Sequence, residues 1–261
     1  MDSVAFTLFG LDVHWYGIII AIGLLLAIIL ARFLAKLRGF DKDDPFEWIL
    51  WVFPFAIVGA RLYFLIFNGG PWGWDSFKIW DGGIAVYGSI IGGAIGVLVY
   101  CLVRKKNFLS VADVIVPCLI LGQGIGRIGC YCSGCCYGVE VTDPSLQFFP
   151  ISIMLNDGHW HLATMFYESF CDLIICAVLI IILKKVKIKG IVLSTYLILY
   201  GIIRAIIEGF RGESLMLGSL RVSQVLSIIL IAVGVALAIY LIINHIRQQE
   251  KPKEVSSSGK L

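Results

Sequence analysis

The sequence predicts an all-α, polytopic membrane protein of about seven transmembrane helices, its N-terminus outside the cell and its C-terminus in the cytoplasm. Three observations carry this. Of 261 residues, 59% are apolar and 15% charged, where soluble domains carry about a quarter charged, and mean hydropathy is +0.91. Long apolar runs recur along the chain. Lysine and arginine gather at every second connection between those runs. One domain is expected over residues 1–249, followed by a polar, disordered cytoplasmic tail over residues 250–261.

The runs are Val13–Ala31, Phe46–Phe67, Ile84–Val103, Leu109–Ile125, Thr164–Leu183, Ile191–Ile207 and Val222–Ile243. Each approaches the ~20 residues that about 30 Å of hydrocarbon requires. Unpaired backbone amides are not tolerated in lipid, so each should be a helix. The first reads as a retained span, because no basic region precedes it and no small-residue cleavage pattern follows. Arg32, Lys36, Arg38 and Lys42 follow the first span; Arg104, Lys105 and Lys106 the third; Lys184, Lys185, Lys187 and Lys189 the fifth; Arg247, Lys251, Lys253 and Lys260 the seventh. The other connections carry Asp75, Asp81, Glu140, Asp143 and Asp157, and the positive-inside rule then sets the orientation. Trp15, Trp48, Trp51, Trp72, Trp74 and Trp80 fall near span ends, where indole rings anchor at the interface. The longest external segment runs from about Gly126 to Leu162. The chain has no phosphate-cradling nucleotide loop, dinucleotide fingerprint or sequence repeat, and nothing implies a nucleic-acid partner.

Gly88, Gly92 and Gly96 in the third span, and Gly122 and Gly126 at the fourth, stand at four-residue spacing, which lets helices approach closely in lipid. Gly82 and Gly83 beside Asp81 instead suggest a turn or a headgroup contact. Charges inside spans are costly, roughly 2.5–3.5 kcal/mol each at the bilayer centre, and either pair or mark function. Here they are Arg61, Asp113, Glu168, Asp172, Arg204 and Glu208. Arg204, Glu208 and Arg211 share one helix face, and Arg127 belongs to the same membrane edge. Several guanidinium forks around a polar cavity suit phosphate oxygens. The abundant phosphate at that depth is a phospholipid headgroup.

Six stretches add a resemblance. They are His14-Trp15-Tyr16-Gly17, Gly59-Ala60-Arg61-Leu62, Asp81-Gly82-Gly83-Ile84-Ala85-Val86-Tyr87-Gly88, Gly126-Arg127-Ile128-Gly129, Ala163-Thr164-Met165-Phe166-Tyr167-Glu168, and Tyr200-Gly201-Ile202-Ile203-Arg204 continuing to Glu208 and Arg211. In order, spacing and membrane placement the chain resembles the prolipoprotein diacylglyceryl transferases of bacteria, from His14 to about Ile243. The resemblance implies a multi-pass protein of the bacterial cell membrane. It implies transfer of the diacylglyceryl group of phosphatidylglycerol to a cysteine thiol in a prolipoprotein signal peptide, with release of glycerol phosphate. The partners are then phosphatidylglycerol, the signal peptide and the bilayer, and the scheme requires neither cofactor nor metal. The catalytic group implied is Arg127, Arg204, Tyr87 and Glu208. Substrate-binding residues are Tyr16, Arg61, Gly82, Gly83, Gly138, Glu168, Tyr200 and Arg211.

The chain also departs from the family pattern. Tyr87 stands where the family commonly has a histidine assigned as general base, and a phenol near pKa 10 is a poor base at neutral pH. Cys130 and Cys135 replace the asparagine and glutamate usual after the arginine signature, whose closing glycine matches Gly138. Cys130, Cys132, Cys135 and Cys136 leave three readings open: disulfides, a zinc site of unusual spacing, or redox-active or acyl-accepting thiols. Cys101, Cys118, Cys171 and Cys176 read as apolar packing. His159 and His161 read as solvated loop residues, either able to stand in for the base; His14 reads as an interface residue and His245 lies at the cytoplasmic edge. Two competing functions remain at this level: a family member with another acceptor, and a transport or thiol-redox membrane protein.

Overall fold

The computed structural model describes residues 4–8, 11–68, 73, 83, 85–155, 157–212, 216–217 and 220–257. Asp75, Asp81, Gly82, Trp72, Trp74 and Trp80 lie outside them. The order is β1 (Val4–Leu8), β2 (Leu11–His14), α1 (Trp15–Ala35), α2 (Asp44–Asn68), α3 (Val86–Val103), α4 (Phe108–Cys132), β3 (Ser152–Met154), β4 (Trp160–Leu162), α5 (Thr164–Lys185), α6 (Ile191–Glu208), β5 (Met216–Leu217), β6 (Leu220–Arg221) and α7 (Val222–Ser257). Among the described residues, seven helices are long and apolar enough to cross a membrane. The described strands form three short antiparallel hairpins. Many large apolar side chains on the helices, such as Phe33, Leu50, Leu102 and Phe170, are exposed, as a lipid-facing surface requires.

Three helix ends lie beyond the sequence reading. Helix α4 does not stop at Ile125 but continues to Cys132, so Gly126–Gly129 belongs to a helix and not to the segment after it. Helix α1 continues to Ala35, and a short 3-10 turn, Lys36–Arg38, extends it. Helical backbone in α7 reaches Ser257, into residues expected as a tail.

The chain divides into two compact units, Ala31–Val114 and the combination of Met1–Leu30 with Ile115–Leu261. In the first unit α2 and α3 pack through glycine. A Cβ on Gly59 would lie 2.5 Å from the Gly88 carbonyl oxygen, and one on Gly92 would run into the Phe55 carbonyl. The glycine stripe of the third span is therefore a helix-packing face. Arg38, counted above as a loop charge, is instead buried against Asp113 at 3.0 Å. Trp48 is buried and sets its ring edge-on to Phe40 and Tyr100.

In the second unit α6 and α7 approach through Gly201, against the Ser227 carbonyl, and Gly234, against the Ser194 carbonyl. Gly124 of α4 seats against Asp172 and Ser169 of α5, and the Cys176 thiol bonds the Pro117 carbonyl at 3.3 Å. Between α4 and α5, residues Gly138 to Val141 run beside β4, bonded through Gly138 to Leu162 and Val141 to Trp160.

Replacing Gly92 with valine should destabilise the protein by about 1–3 kcal/mol through overpacking. Gly122→Ala, with nothing within 4 Å of its Cβ position, should change stability by less than about 0.5 kcal/mol. Thermal unfolding in detergent reads both. By the same measurement Asp113→Ala should cost roughly 3–5 kcal/mol by leaving Arg38 buried without its carboxylate, and the double change Arg38→Met with Asp113→Leu should recover most of it.

Candidate active site

Glu168 lies in the second turn of α5 and is buried. Its Oε2 lies 2.5 Å from Nε of Arg127, on the last two turns of α4, and its Oε1 accepts a hydrogen bond from Nη1 of Arg204, on α6. One carboxylate thus holds guanidinium groups from two other helices. Glu168 and Arg204, both charges inside spans, thus pair with each other.

Arg204 also reaches Glu208, one turn on, at 3.2 Å, and Arg211 lies 3.7 Å from the same Glu208 oxygen. The guanidinium of Arg221 donates to the Glu208 carbonyl. Asp172, one turn beyond Glu168 and also buried, lies within electrostatic reach of Arg127 and Arg204. Among the described residues, four arginines face three carboxyl groups. Glu168 Oε2 and Glu208 Oε2 sit at ion-pair distance from their arginines, yet neither accepts an aligned hydrogen bond among the described residues. At these two oxygens the pairing is Coulombic more than directional. A guanidinium carries five N–H donors, so the forks of Arg127 and Arg204 retain donors for an anion.

Aromatic residues flank the cluster. Tyr200, one turn before Arg204, stacks on Tyr196 with 5.4 Å between ring centres, and the Tyr196 hydroxyl donates to Gln123 at 3.2 Å. Tyr16, the second residue of α1, lays its ring over Gly129, where a Cβ would lie 3.0 Å from the ring. Gly138 fits a crossing too tight for any side chain: a Cβ there would meet Leu162, Thr164 and the Phe210 carbonyl within 2.8 Å. It pairs with Arg211 across an isolated bridge and so ties that arginine's backbone to the segment before β3. His161 packs on Tyr137 and lies 3.1 Å from Asp157, while His159 pairs with Glu140 at 2.7 Å.

The cysteines are organised by how α4 ends. The Cys135 amide donates to the Cys130 carbonyl and the Gly134 amide to the Tyr131 carbonyl, with Gly134 at φ +61°. This is a Schellman motif, which folds the residue after the glycine back onto the last helical turn. Cys136 follows at φ +65°, an uncommon conformation for a side-chain-bearing residue. The sulfurs of Cys130, Cys135 and Cys136 consequently lie within 4.8 Å of one another; Cys132 is not in the group. All eight cysteines are free thiols. Arg127 Nη1 points at the Cys136 sulfur, 3.8 Å away. A hydrogen bond from the Cys130 thiol lowers Cys136 to about 5 against the effect of burial, with Arg211 and Arg127 adding to the fall. Burial and the neighbouring Cys136 push Cys135 up.

In the Ala31–Val114 unit, Arg61 Nη1 donates to the Gly83 carbonyl at 3.1 Å and lies over the Phe64 ring. Gly83 has φ +77°, and a Cβ there would collide with Arg61 and Phe64. Tyr87 stands near Tyr63, ring centres 6.2 Å apart. These residues form a group of their own; Gly82 lies outside the described residues.

Sequence reasoning missed Arg221, Gln123 and the cluster role of Asp172. A basic residue directly before the last apolar run, at the same membrane edge as Arg211, was the available signal for Arg221. A glutamine inside the fourth span was the signal for Gln123. The five-residue interval Cys130–Cys135 with glycine at its fourth position was the signal for the thiol group.

The family model described as Prolipoprotein diacylglyceryl transferase matches residues 3–240. Phosphatidylglycerol–prolipoprotein diacylglyceryl transferase 1 of Clostridium perfringens (strain 13 / Type A) is 38% identical over 259 residues, covering 96% of this chain and 98% of its own. The phosphatidylglycerol–prolipoprotein diacylglyceryl transferase of Clostridium botulinum (strain Loch Maree / Type A3) is 39% identical over 257 residues, covering 96% and 100%. That of Clostridium novyi (strain NT) is 39% identical over 245 residues, covering 92% and 95%. With seven membrane-length helices, a buried arginine–glutamate cluster and a match along nearly its whole length, this chain belongs to the prolipoprotein diacylglyceryl transferase family.

Proposed function

We propose that the protein transfers the diacylglyceryl group of phosphatidylglycerol to the lipobox cysteine of a prolipoprotein, at the outer leaflet of the cell membrane. The carrying observation is the pair of guanidinium groups, Arg127 and Arg204, held side by side by buried Glu168 with donors to spare. The acceptor thiol gives its proton to solvent and attacks the glycerol carbon as thiolate. A carbon–sulfur bond forms, the carbon–oxygen bond to phosphate breaks, and glycerol phosphate leaves with the electron pair. Arg127 and Arg204 grip the phosphate and stabilise the charge growing on it, the stage at which fixed donors are most effective. Arg211 adds positive field, while Glu168 and Glu208 position the arginines. Tyr16 and Tyr200 line the lipid head, and Gly138 keeps the backbone crossing beside Arg211.

The cluster's location supports the orientation. The C-terminal ends of α4 and α6 and the N-terminal ends of α5 and α7 carry it. The basic connection after α5, Lys184 to Lys189, marks the opposite, cytoplasmic end of α5 and α6.

Conversion of a lipobox peptide in phosphatidylglycerol vesicles tests this reading. Arg127→Ala and Arg204→Ala should each lower turnover by about 10²–10³ or more; full activity in both would falsify the arginine–phosphate mechanism. Glu168→Gln keeps the side-chain volume but leaves two guanidinium groups without their shared counter-charge. It should lower turnover by roughly tenfold to a hundredfold, with Glu168→Asp between it and the parent protein.

A further inference from the structure

Three thiols converge at the end of α4, and the proposed transfer uses none of them. We propose that Cys130, Cys135 and Cys136 form a binding site for a thiophilic metal ion of the zinc class, held by three thiolates. Their sulfurs lie within 4.8 Å of one another. A zinc–sulfur bond of about 2.3 Å sets sulfurs roughly 3.8 Å apart in a tetrahedral site, so closure needs a contraction of about 1 Å at most. Sulfur donors select such ions over magnesium or calcium.

The backbone prepares the site independently of any ion. The Schellman motif returns Cys135 to Cys130. The left-handed conformation of Cys136 turns its side chain back to the other two, and the Thr164 hydroxyl fixes its carbonyl at 2.8 Å. A side-chain-bearing residue held in that region stores strain that ordinary loop closure does not require.

Charge points the same way. Metal ligands are thiolates, and Arg127 points its guanidinium at the Cys136 sulfur. Three thiolates around a divalent ion carry one net negative charge, which Arg127, 3.8 Å from Cys136, is placed to balance. Binding exchanges thiol protons for the ion, the protons passing to solvent, with no change of oxidation state. Cys130 is buried while Cys135 and Cys136 are half-buried, so the ion enters from the Cys135–Cys136 side and the fourth coordination position takes water.

The test uses the full chain in detergent, prepared reduced and then freed of reductant under inert gas. Zinc is titrated against a chromophoric chelator, and cadmium reports through its thiolate charge-transfer absorption. The expected result is one ion per chain, with Cys135→Ser and Cys136→Ser each weakening binding roughly 100-fold or more and Cys132→Ser leaving it unchanged. In the unsubstituted protein, zinc should protect Cys130, Cys135 and Cys136 from alkylation, read by mass spectrometry, and leave Cys132 reactive. That arm holds even where a serine variant does not fold. Free thiols that neither bind zinc stoichiometrically nor gain protection would overturn the proposal. So would equal weakening by Cys132→Ser, or a disulfide within the trio that zinc does not prevent.

Discussion

Glu168 is the constraint around which the larger unit is arranged. A lone arginine in hydrocarbon is unfavourable by several kcal/mol on any scale, and α4 and α6 each present one. A single buried carboxylate on α5 answers both. Burial strengthens the attraction and also makes it obligatory, since removing the carboxylate takes from Arg127 its ion pair and leaves Arg204 with Glu208. Among the described residues the arginines of the cluster outnumber its carboxyl groups, four to three.

Much of the fold was legible because lipid imposes one rule on every span. Apolar runs of sufficient length must become helices, and the runs beginning at Thr164, Ile191 and Val222 start where helices α5, α6 and α7 start. The end of α4 was not legible in that way. Residues Gly126–Cys132 contain an arginine and several small or polar residues, which read as a departure from the membrane. The helix continues because Glu168, distant in sequence, neutralises Arg127. Arg38 misled for the converse reason. Its position among other basic residues marks a cytoplasmic loop, and only the fold brings it against Asp113.

Side-chain type and helical spacing put Arg204 and Glu208 on one face of α6, but Arg211, read as part of the same face, lies beyond the helix end and is held by its bridge to Gly138. Arg221 escaped because its contact is with the Glu208 backbone, and a carbonyl leaves no mark in sequence. The thiol group shows a middle case. Its members are plain in the sequence, but separating Cys132 from the other three depends on the left-handed turn at Gly134 and Cys136.

The contact between α2 and α3 bears on how such a chain is assembled. Where Gly59, Gly88 and Gly92 meet, the surfaces are largely main chain, so joining them freezes few side-chain rotamers and needs no counter-ion from elsewhere. This hairpin can lock as soon as both helices have left the insertion machinery. The segments bearing Arg127, Glu168 and Arg204 cannot settle until all three are present. The polypeptide therefore carries its own schedule for biogenesis, in which an early, entropically cheap pair is complete while the later helices still await each other's charges.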